Sequence, residues 1–226
     1  MSNKTLSRRL AAEFIGTAGL LAAVVGSGIM AERLAGGNMA VALLANTLAT
    51  GAALVALILA FSPVSGAHFN PVVSFVAALT GDLSWREALF YIVTQTLGAV
   101  LGVALANLMF DLSPLFASTK VRTGFGQWLG EFVATFGLIA VIIAVSRRHK
   151  MVTVAFSVAA YITAAYWFTS STSFANPAVT IARSMSDTFA GIRPADAPAF
   201  IVAQILGAAF AAVIFNWLVP KERDEK

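Results

Sequence analysis

Residues Ser171–Arg183 read Ser-Thr-Ser-Phe-Ala-Asn-Pro-Ala-Val-Thr-Ile-Ala-Arg, and a related stretch, Ser65–Ser74, reads Ser-Gly-Ala-His-Phe-Asn-Pro-Val-Val-Ser. In both, Asn-Pro is followed by small and aliphatic residues. An Asn side chain caps the first free N–H groups of a helix, and Pro is favoured at the first helical position because no N–H is needed there. The two stretches therefore predict abrupt helix starts, with helices over about 70–80 and 176–187.

Neither predicted helix is long enough to cross a membrane, since each has about ten residues and a span needs roughly 20. Irregular backbone at membrane depth is tolerated only where it is buried in protein or lines a cavity. In a strongly apolar chain, two short capped helices indicate re-entrant half-helices that line a cavity. The pattern predicts a channel.

Composition supports a membrane setting. The chain has 226 residues, of which 58% are hydrophobic and 12% charged, and this apolar share exceeds that of soluble domains. We therefore predict an all-α polytopic membrane protein. The formal charge of +4 is divided among termini and loops, so we expect no nucleic-acid partner. The absence of cysteine excludes disulfides and thiolate metal sites, and we expect no metal and no cofactor.

Six apolar segments are long enough to span the membrane, and with the half-helices they divide the chain into two similar halves. The spans are predicted at about 10–31, 40–61, 87–109, 127–147, 151–169 and 198–219. We interpret residues 1–226 as one membrane channel domain, with repeat 1 at about 10–109 and repeat 2 at about 127–219. The basic N-terminus followed by an apolar run resembles a signal peptide, but its length and Glu13 favour a first span.

The two halves also match in sequence. Ala12–Leu20 aligns with Gly130–Leu138, the Asn-Pro pairs correspond, and Gln95-Thr-Leu-Gly corresponds to Gln204-Ile-Leu-Gly. Each half has an odd number of spans, so the second copy must be inverted in the membrane. Inverted repeats with interrupted helices are typical of transport proteins.

The distribution of basic residues predicts the orientation. An internal N-terminus places ten Lys and Arg residues on the cytoplasmic side and five outside, as the positive-inside rule expects. The cytoplasmic set is Lys4, Arg8, Arg9, Arg86, Arg147, Arg148, Lys150, Lys221, Arg223 and Lys226, and the outer set is Arg33, Lys120, Arg122, Arg183 and Arg193. We therefore expect both termini in the cytoplasm.

Paired Asn-Pro motifs in six spans with two half-helices resemble the aquaporin family, over about residues 10–219. The motifs are Asn70-Pro71-Val72, which departs from the usual Asn-Pro-Ala, and Asn176-Pro177-Ala178. The resemblance implies a homotetramer in the lipid bilayer with one pore per subunit. It also implies that the half-helix dipoles oppose cations, while the amides of Asn70 and Asn176 donate to a passing neutral oxygen. Carbonyls of 66–69 and 172–175 would supply acceptors.

The outer filter of the family carries over to Thr50, Ala164, Ser173 and Val179. Water- and glycerol-selective members have Arg where this chain has Val179. The expected filter has no charge, aromatic ring or histidine, and would be wider and less polar than theirs.

The second motif and the residues that follow it, through Asp187-Thr-Phe-Ala-Gly, resemble a bacterial subgroup associated with arsenic resistance. That resemblance implies a channel in the bacterial plasma membrane for uncharged arsenous and antimonous acid and for methylated arsenicals. A glycerol, urea or water facilitator is the alternative. A coupled transporter would need Glu13 or Glu131 as its ion-binding group. No enzyme motif is present, so we expect no enzyme.

Four further residues have two interpretations each. Arg183 either lines an outer vestibule or is an interfacial Arg that snorkels or pairs with Asp187 at i+4. Glu13 and Glu131 are either functional carboxylates in the membrane or structural acceptors for the re-entrant backbone, which the resemblance favours. His68 is expected to hold its loop rather than bind a metal.

Overall fold

The computed structural model of the protein describes residues 4–221. Over that range the chain is all-helical, with eight α-helices and a 3₁₀ turn, Pro194–Asp196, before the last. The helices are α1 Leu6–Leu34, α2 Met39–Ser65, α3 Pro71–Leu79, α4 Trp85–Met109, α5 Phe125–Ser146, α6 Met151–Phe168, α7 Pro177–Arg183 and α8 Ala197–Leu218.

Six of these helices are long and apolar enough to cross a membrane, namely α1, α2, α4, α5, α6 and α8. The two others have 9 and 7 residues and begin at Pro71 and Pro177. The predicted all-α class, the six spans and the two half-helix starts are confirmed. Each half of the chain presents two long helices, one half-helix and one long helix, in that order.

The second half-helix is shorter than predicted, since it ends at Arg183 rather than near residue 187. Beyond it, the backbone leaves the helix to pair with the segment that joins α4 to α5. Phe116 N–H donates to the Met185 carbonyl and Ser118 N–H to the Ser184 carbonyl, each at 3.0 Å. This pairing between distant segments could not be read from the local helix pattern.

Close helix crossings hold each half together. At Gly98, a Cβ atom would lie 2.4 Å from the Phe14 carbonyl oxygen, and at Gly102 it would lie 2.2 Å from that of Ala18, so α4 touches the backbone of α1. Gly207 of α8 approaches the Phe132 carbonyl of α5 in the same way, at 2.4 Å. Small residues at these points let helix backbones approach closely.

The outward surface of the helices is apolar. Leu48, Val213 and Trp217 are more than half exposed, as expected for side chains that face lipid rather than water. Six spans place the two ends of the described chain on one face of the molecule, here named the terminal face, and the segment 110–124 on the opposite face. Arg223 and Lys226, counted in the predicted charge distribution, lie outside the described residues.

Candidate functional site

A cavity of about 620 Å³ lies between the helices. At the terminal face it is lined by Asp82, Arg147 and Lys221, and towards the opposite face by Val179 and Arg183. It therefore passes both Asn-Pro motifs and reaches towards both faces.

The walls of the cavity differ in polarity. Long helices contribute aliphatic side chains, and the two re-entrant segments contribute main chain and polar groups. The aliphatic residues include Leu20, Val24, Leu54, Ile58, Leu138, Ile142, Val154, Val158 and Ile162. The re-entrant residues are Gly66–Asn70 and Ser173–Asn176. A solute in the cavity meets hydrocarbon on one side and hydrogen-bonding groups on the other.

The two half-helices meet at the centre through their Asn side chains. Each Oδ1 caps its own helix: Asn70 accepts from Val72 N–H at 3.1 Å and Asn176 from Ala178 N–H at 3.0 Å. Each Nδ2 donates across to the other segment, from Asn70 to the Ala175 carbonyl and from Asn176 to the Phe69 carbonyl, both at 2.8 Å. An amide has two N–H groups, so one on each Asn remains for a molecule in the cavity.

The re-entrant backbone is strained at corresponding positions. Ala67 and Phe69 have φ values of 52° and 48°, and Ser173 and Ala175 have 52° and 48°. Left-handed conformations cost non-glycine residues about 1–3 kcal/mol each and persist only where the surroundings enforce them. Such a cost indicates that the segments are held by strong contacts.

Two buried carboxylates supply those contacts. Glu13 accepts from the N–H groups of His68 and Phe69 at 3.0 and 2.7 Å, and Glu131 accepts from those of Phe174 and Ala175 at 2.8 and 2.9 Å. Gln95 Nε2 donates to Glu13 at 2.8 Å and Gln204 Nε2 to Glu131 at 2.6 Å. Both carboxylates have no exposed surface. Their acceptor oxygens are therefore committed to the backbone of the loops.

His68 holds its loop through a contact within the same half. Its Nδ1 lies 3.0 Å from the Ser74 hydroxyl, and its ring packs edge-on against Tyr91 with centroids 5.3 Å apart. Within residues 4–221, no group of three His, Asp or Glu side chains is arranged to hold a metal ion.

Of the four predicted filter positions, the structure brings three to the cavity and not the fourth. Thr50, Ser173 and Val179 line it, whereas Ala164 is exposed on the outer side of α6. The prediction for Ala164 is wrong, because distance from the Asn-Pro motif does not fix the rotation of α6.

The cavity-facing side of α6 is the stripe Val154, Val158, Ile162 and Tyr166. The Tyr166 hydroxyl donates to Thr50 Oγ1 at 3.3 Å. Tyr166 therefore places an aromatic ring in the cavity wall beside Thr50, where the predicted filter has none. The four-residue spacing of the stripe was visible in the sequence and would have found Tyr166.

Arg183 lines the cavity with only 2% of its surface exposed. It does not pair with Asp187, which instead accepts hydrogen bonds from Thr119 N–H at 2.8 Å and from the Ser118 hydroxyl at 3.3 Å. The interpretation of Arg183 as the ion-pair partner of Asp187 is therefore wrong.

Basic residues gather around this end of the cavity. Arg122 donates to the carbonyls of Gly191 and Ser171 at 2.8 and 3.1 Å, and Lys120 donates to the Phe189 carbonyl at 2.7 Å. Burial, reinforced by Arg122 and Arg183, lowers the pKa of Lys120 to about 8. Burial likewise lowers the pKa of Arg122 to about 10. Only the shift of Lys120 has neighbouring cations among its causes, and the shift of Arg122 reflects its burial.

Comparison with known sequences decides the family. The sequence profile described as "Major intrinsic protein" matches residues 1–153 and 147–226, which together include the whole chain. The chain belongs to the major intrinsic protein family.

One relative matches over nearly its whole length, and a solved structure shares the fold. The chain is 56% identical over 223 residues to "Aquaglyceroporin AqpS" of Rhizobium meliloti (strain 1021), covering 99% of this chain and 95% of that one. It is 34% identical over 150 residues to "Aquaporin NIP1-4" of Oryza sativa subsp. japonica, covering 66% and 54%. The crystal structure of the aquaglyceroporin from Plasmodium falciparum superposes with a TM-score of 0.72 at 20% identity, covering 96% and 98%.

Membership of the major intrinsic protein family settles the class of activity. The protein is a multi-pass membrane channel through which small solutes pass passively, and it is not an enzyme. The cavity past the two Asn-Pro motifs is the part of its structure that fits such a path.

At the terminal face, this major intrinsic protein has an ion pair beside the cavity mouth. Lys221 Nζ lies 2.7 Å from Asp82 Oδ1 and 3.3 Å from the Thr80 carbonyl oxygen. Arg147 binds Asn216 and the Val219 carbonyl. The Lys221 contacts tie the segment after α8 to the turn after α3, and the Arg147 contacts tie the end of α8 to the end of α5. Sequence reasoning assigned Arg147 and Lys221 only to membrane orientation.

Proposed function

We propose that the protein conducts uncharged solutes that carry several hydroxyl groups, and that trivalent metalloid hydroxides, arsenous and antimonous acid, are its main solutes. Methylated arsenicals are further candidates. The observation that carries the proposal is Val179, an aliphatic side chain in the cavity wall directly after the second motif. Val179 leaves room that an arginine would fill. Near neutral pH, arsenous acid is uncharged and resembles glycerol in its hydroxyl array.

In this proposal the two motifs form the centre of the path. Pro71 and Pro177 begin the half-helices, whose N-termini each carry about half a positive charge and oppose cations. The free N–H groups of Asn70 and Asn176 bind the solute oxygen. The third motif residues, Val72 and Ala178, are buried behind them, at 1% and 0% exposure, and act in packing.

The proposed filter consists of Thr50, Tyr166, Ser173 and Val179. Ser173 Oγ is buried and has no hydrogen-bond partner among the described residues, although Ser173 lines the cavity. A buried hydroxyl without a partner is costly, and a solute hydroxyl could satisfy it only if the Ser173 side chain turned its Oγ towards the cavity. The Thr50 and Tyr166 hydroxyls offer further donors and acceptors.

Glycerol and urea remain the second candidate. The name of the relative at 56% identity, an aquaglyceroporin, favours glycerol, and the same hydroxyl groups would bind it. A coupled transporter is disfavoured because the oxygens of Glu13 and Glu131 are committed to backbone and amide donors.

We further propose that the protein lies in the bacterial plasma membrane as a homotetramer with both termini in the cytoplasm. The basic residues of the terminal face support this orientation. Light scattering of the purified protein in detergent tests the tetramer, since its mass is four times that of the 23.6 kDa chain.

Uptake by cells tests the choice of solute. The chain is expressed in bacteria that lack metalloid-permeable channels, and intracellular arsenic, antimony, glycerol and urea are measured over minutes. We expect arsenite and antimonite to enter faster than in cells without the chain, with a larger relative gain than for glycerol. A gain confined to glycerol and urea would replace the metalloid proposal with the second candidate.

A further inference from the structure

The guanidinium of Arg183 occupies a fixed place at the wall of the cavity. Its Cζ lies 3.4 Å from the centre of the Phe174 ring, and its Nε donates to the Ala190 carbonyl. Phe174 is itself held by edge-on packing against Phe200, with ring centroids 5.3 Å apart. Stacking on an aromatic face orients a guanidinium and favours its positive charge.

The charge of Arg183 is not neutralised. Among residues 4–221 it has no carboxylate within ion-pair distance. A second cation, Arg122, packs on the same Phe174 ring, with its Cζ 5.1 Å from the ring centre. A positive charge in a wall of low dielectric acts strongly on any ion that passes. Cations are repelled.

Arg183 also retains hydrogen-bond donors that face the cavity. Among the described residues, only its Nε has a hydrogen-bond partner. The two Nη atoms have no partner there, and they are not fully buried. The two Nη groups are therefore accessible from the cavity. They are placed to donate to an oxygen of a neutral solute, as a guanidinium fork does.

We propose that Arg183, stacked on Phe174, is the residue that excludes cations and donates to oxygen-bearing solutes in the part of the path beyond the second motif. Val179, directly after that motif, has neither charge nor donor. The inference rests on the proposed function, because it takes the cavity to be the path of the solute. It adds a specificity-determining residue one helical turn beyond the aliphatic position.

The absence of cysteine permits a direct test by changing the charge at one position. Arg183→Cys is reconstituted in vesicles and treated with a positively charged or a negatively charged thiosulfonate. Potassium conductance and glycerol flux are recorded on the same preparations. Arg193→Cys is the matched control, since Arg193 lies on the same face, is paired with Asp196 at 2.8 Å, and does not line the cavity.

We expect Arg183→Cys to raise potassium conductance at least about tenfold over the unmodified chain, because one wall charge is lost. The positive reagent should lower the conductance again, and the negative reagent should raise it further. Arg193→Cys should match the unmodified chain with either reagent. Arg183→Lys, which keeps the charge, should still exclude potassium.

Two results would overturn this inference without affecting the proposed function. The first is glycerol flux with no potassium leak in Arg183→Cys. The second is a potassium leak in Arg183→Lys as large as that in Arg183→Cys, because it would show a loss of packing rather than a loss of charge. No flux of any neutral solute through the unmodified chain would overturn the proposed function as well. If Arg183→Cys does not assemble, Phe174→Leu is the second test. It removes the ring under the guanidinium, so unchanged potassium exclusion would contradict the stacked placement.

Discussion

In the proposed function, individual side chains determine which solutes the cavity admits, and Val179 is the most informative of them. It lines the same cavity as Arg183 and Tyr166. A long charged side chain here would occupy the space opposite the hydroxyls of the filter. Selection in channels depends on pore width and on the groups that line it, so this position should control the passage of large solutes.

We predict that Val179→Arg lowers glycerol and arsenous acid flux by about tenfold or more, with normal expression and an unchanged thermal midpoint. Val179→Leu, which adds bulk without charge, should retain most of the flux. Flux through both variants is compared in vesicles of matched protein content. Undiminished flux in well-assembled Val179→Arg would remove Val179 from the filter.

Tyr166 is a cavity-lining residue that sequence reasoning missed, and the proposed role of its hydroxyl in the filter is testable. We predict that Tyr166→Phe changes the ratio of glycerol to water permeability by about threefold or more, because it removes a group that bonds Thr50 and faces the cavity. Tyr161→Phe is the matched control, since the Tyr161 hydroxyl bonds the Val133 carbonyl and lies partly exposed. Equal ratios in both variants would count against a role for Tyr166 in selection.

Buried carboxylates are the residues on which the re-entrant segments depend. We predict that Glu131→Gln lowers the free energy of unfolding by about 2–3 kcal/mol, because an amide cannot replace a carboxylate that accepts from two backbone N–H groups. The midpoint of thermal unfolding in detergent reports the loss. Glu32→Gln, at an exposed site, should change it little, and an equal shift in both variants would refute the structural role of Glu131.

The bounds of a helix could be predicted where neighbouring residues in the sequence determine them. The Asn-Pro pairs fixed the starts of α3 and α7, because capping and the first-turn proline act within a few residues. The end of α7 and the rotation of α6 were not predictable in this way. They depend on backbone pairing with residues 116–118 and on packing across the cavity, which bring together parts of the chain far apart in sequence.

Helix crossings are a second property of the elements that the structure makes testable. Because a Cβ at Gly98 would meet the backbone of α1 at 2.4 Å, we predict that Gly98→Ala lowers the free energy of unfolding by about 1–3 kcal/mol. Gly126→Ala is the control, since its nearest contact would be a side-chain hydroxyl at 3.8 Å. If Gly98→Ala and Gly126→Ala unfolded at the same thermal midpoint, α1 and α4 would not be held in close contact at Gly98.

At the scale of the whole molecule, orientation decides which mouth of the cavity meets the cytoplasm. We predict that a membrane-impermeant maleimide labels Leu115→Cys in intact cells but labels His149→Cys only after lysis. Both positions are exposed and lie on opposite faces, and the chain offers no other thiol. The reverse pattern would invert the orientation inferred from the basic residues.

The whole molecule is, on this account, a passive path with two half-helix starts at its centre and a wide, aliphatic position beyond them. Stopped-flow light scattering on vesicles that contain the pure protein tests this most directly, with gradients of water, glycerol, urea and neutral arsenous acid and no ion gradient. We predict that arsenous acid and glycerol enter much faster than through protein-free vesicles. The account would be contradicted if only water passed, or if no solute passed in the absence of an ion gradient.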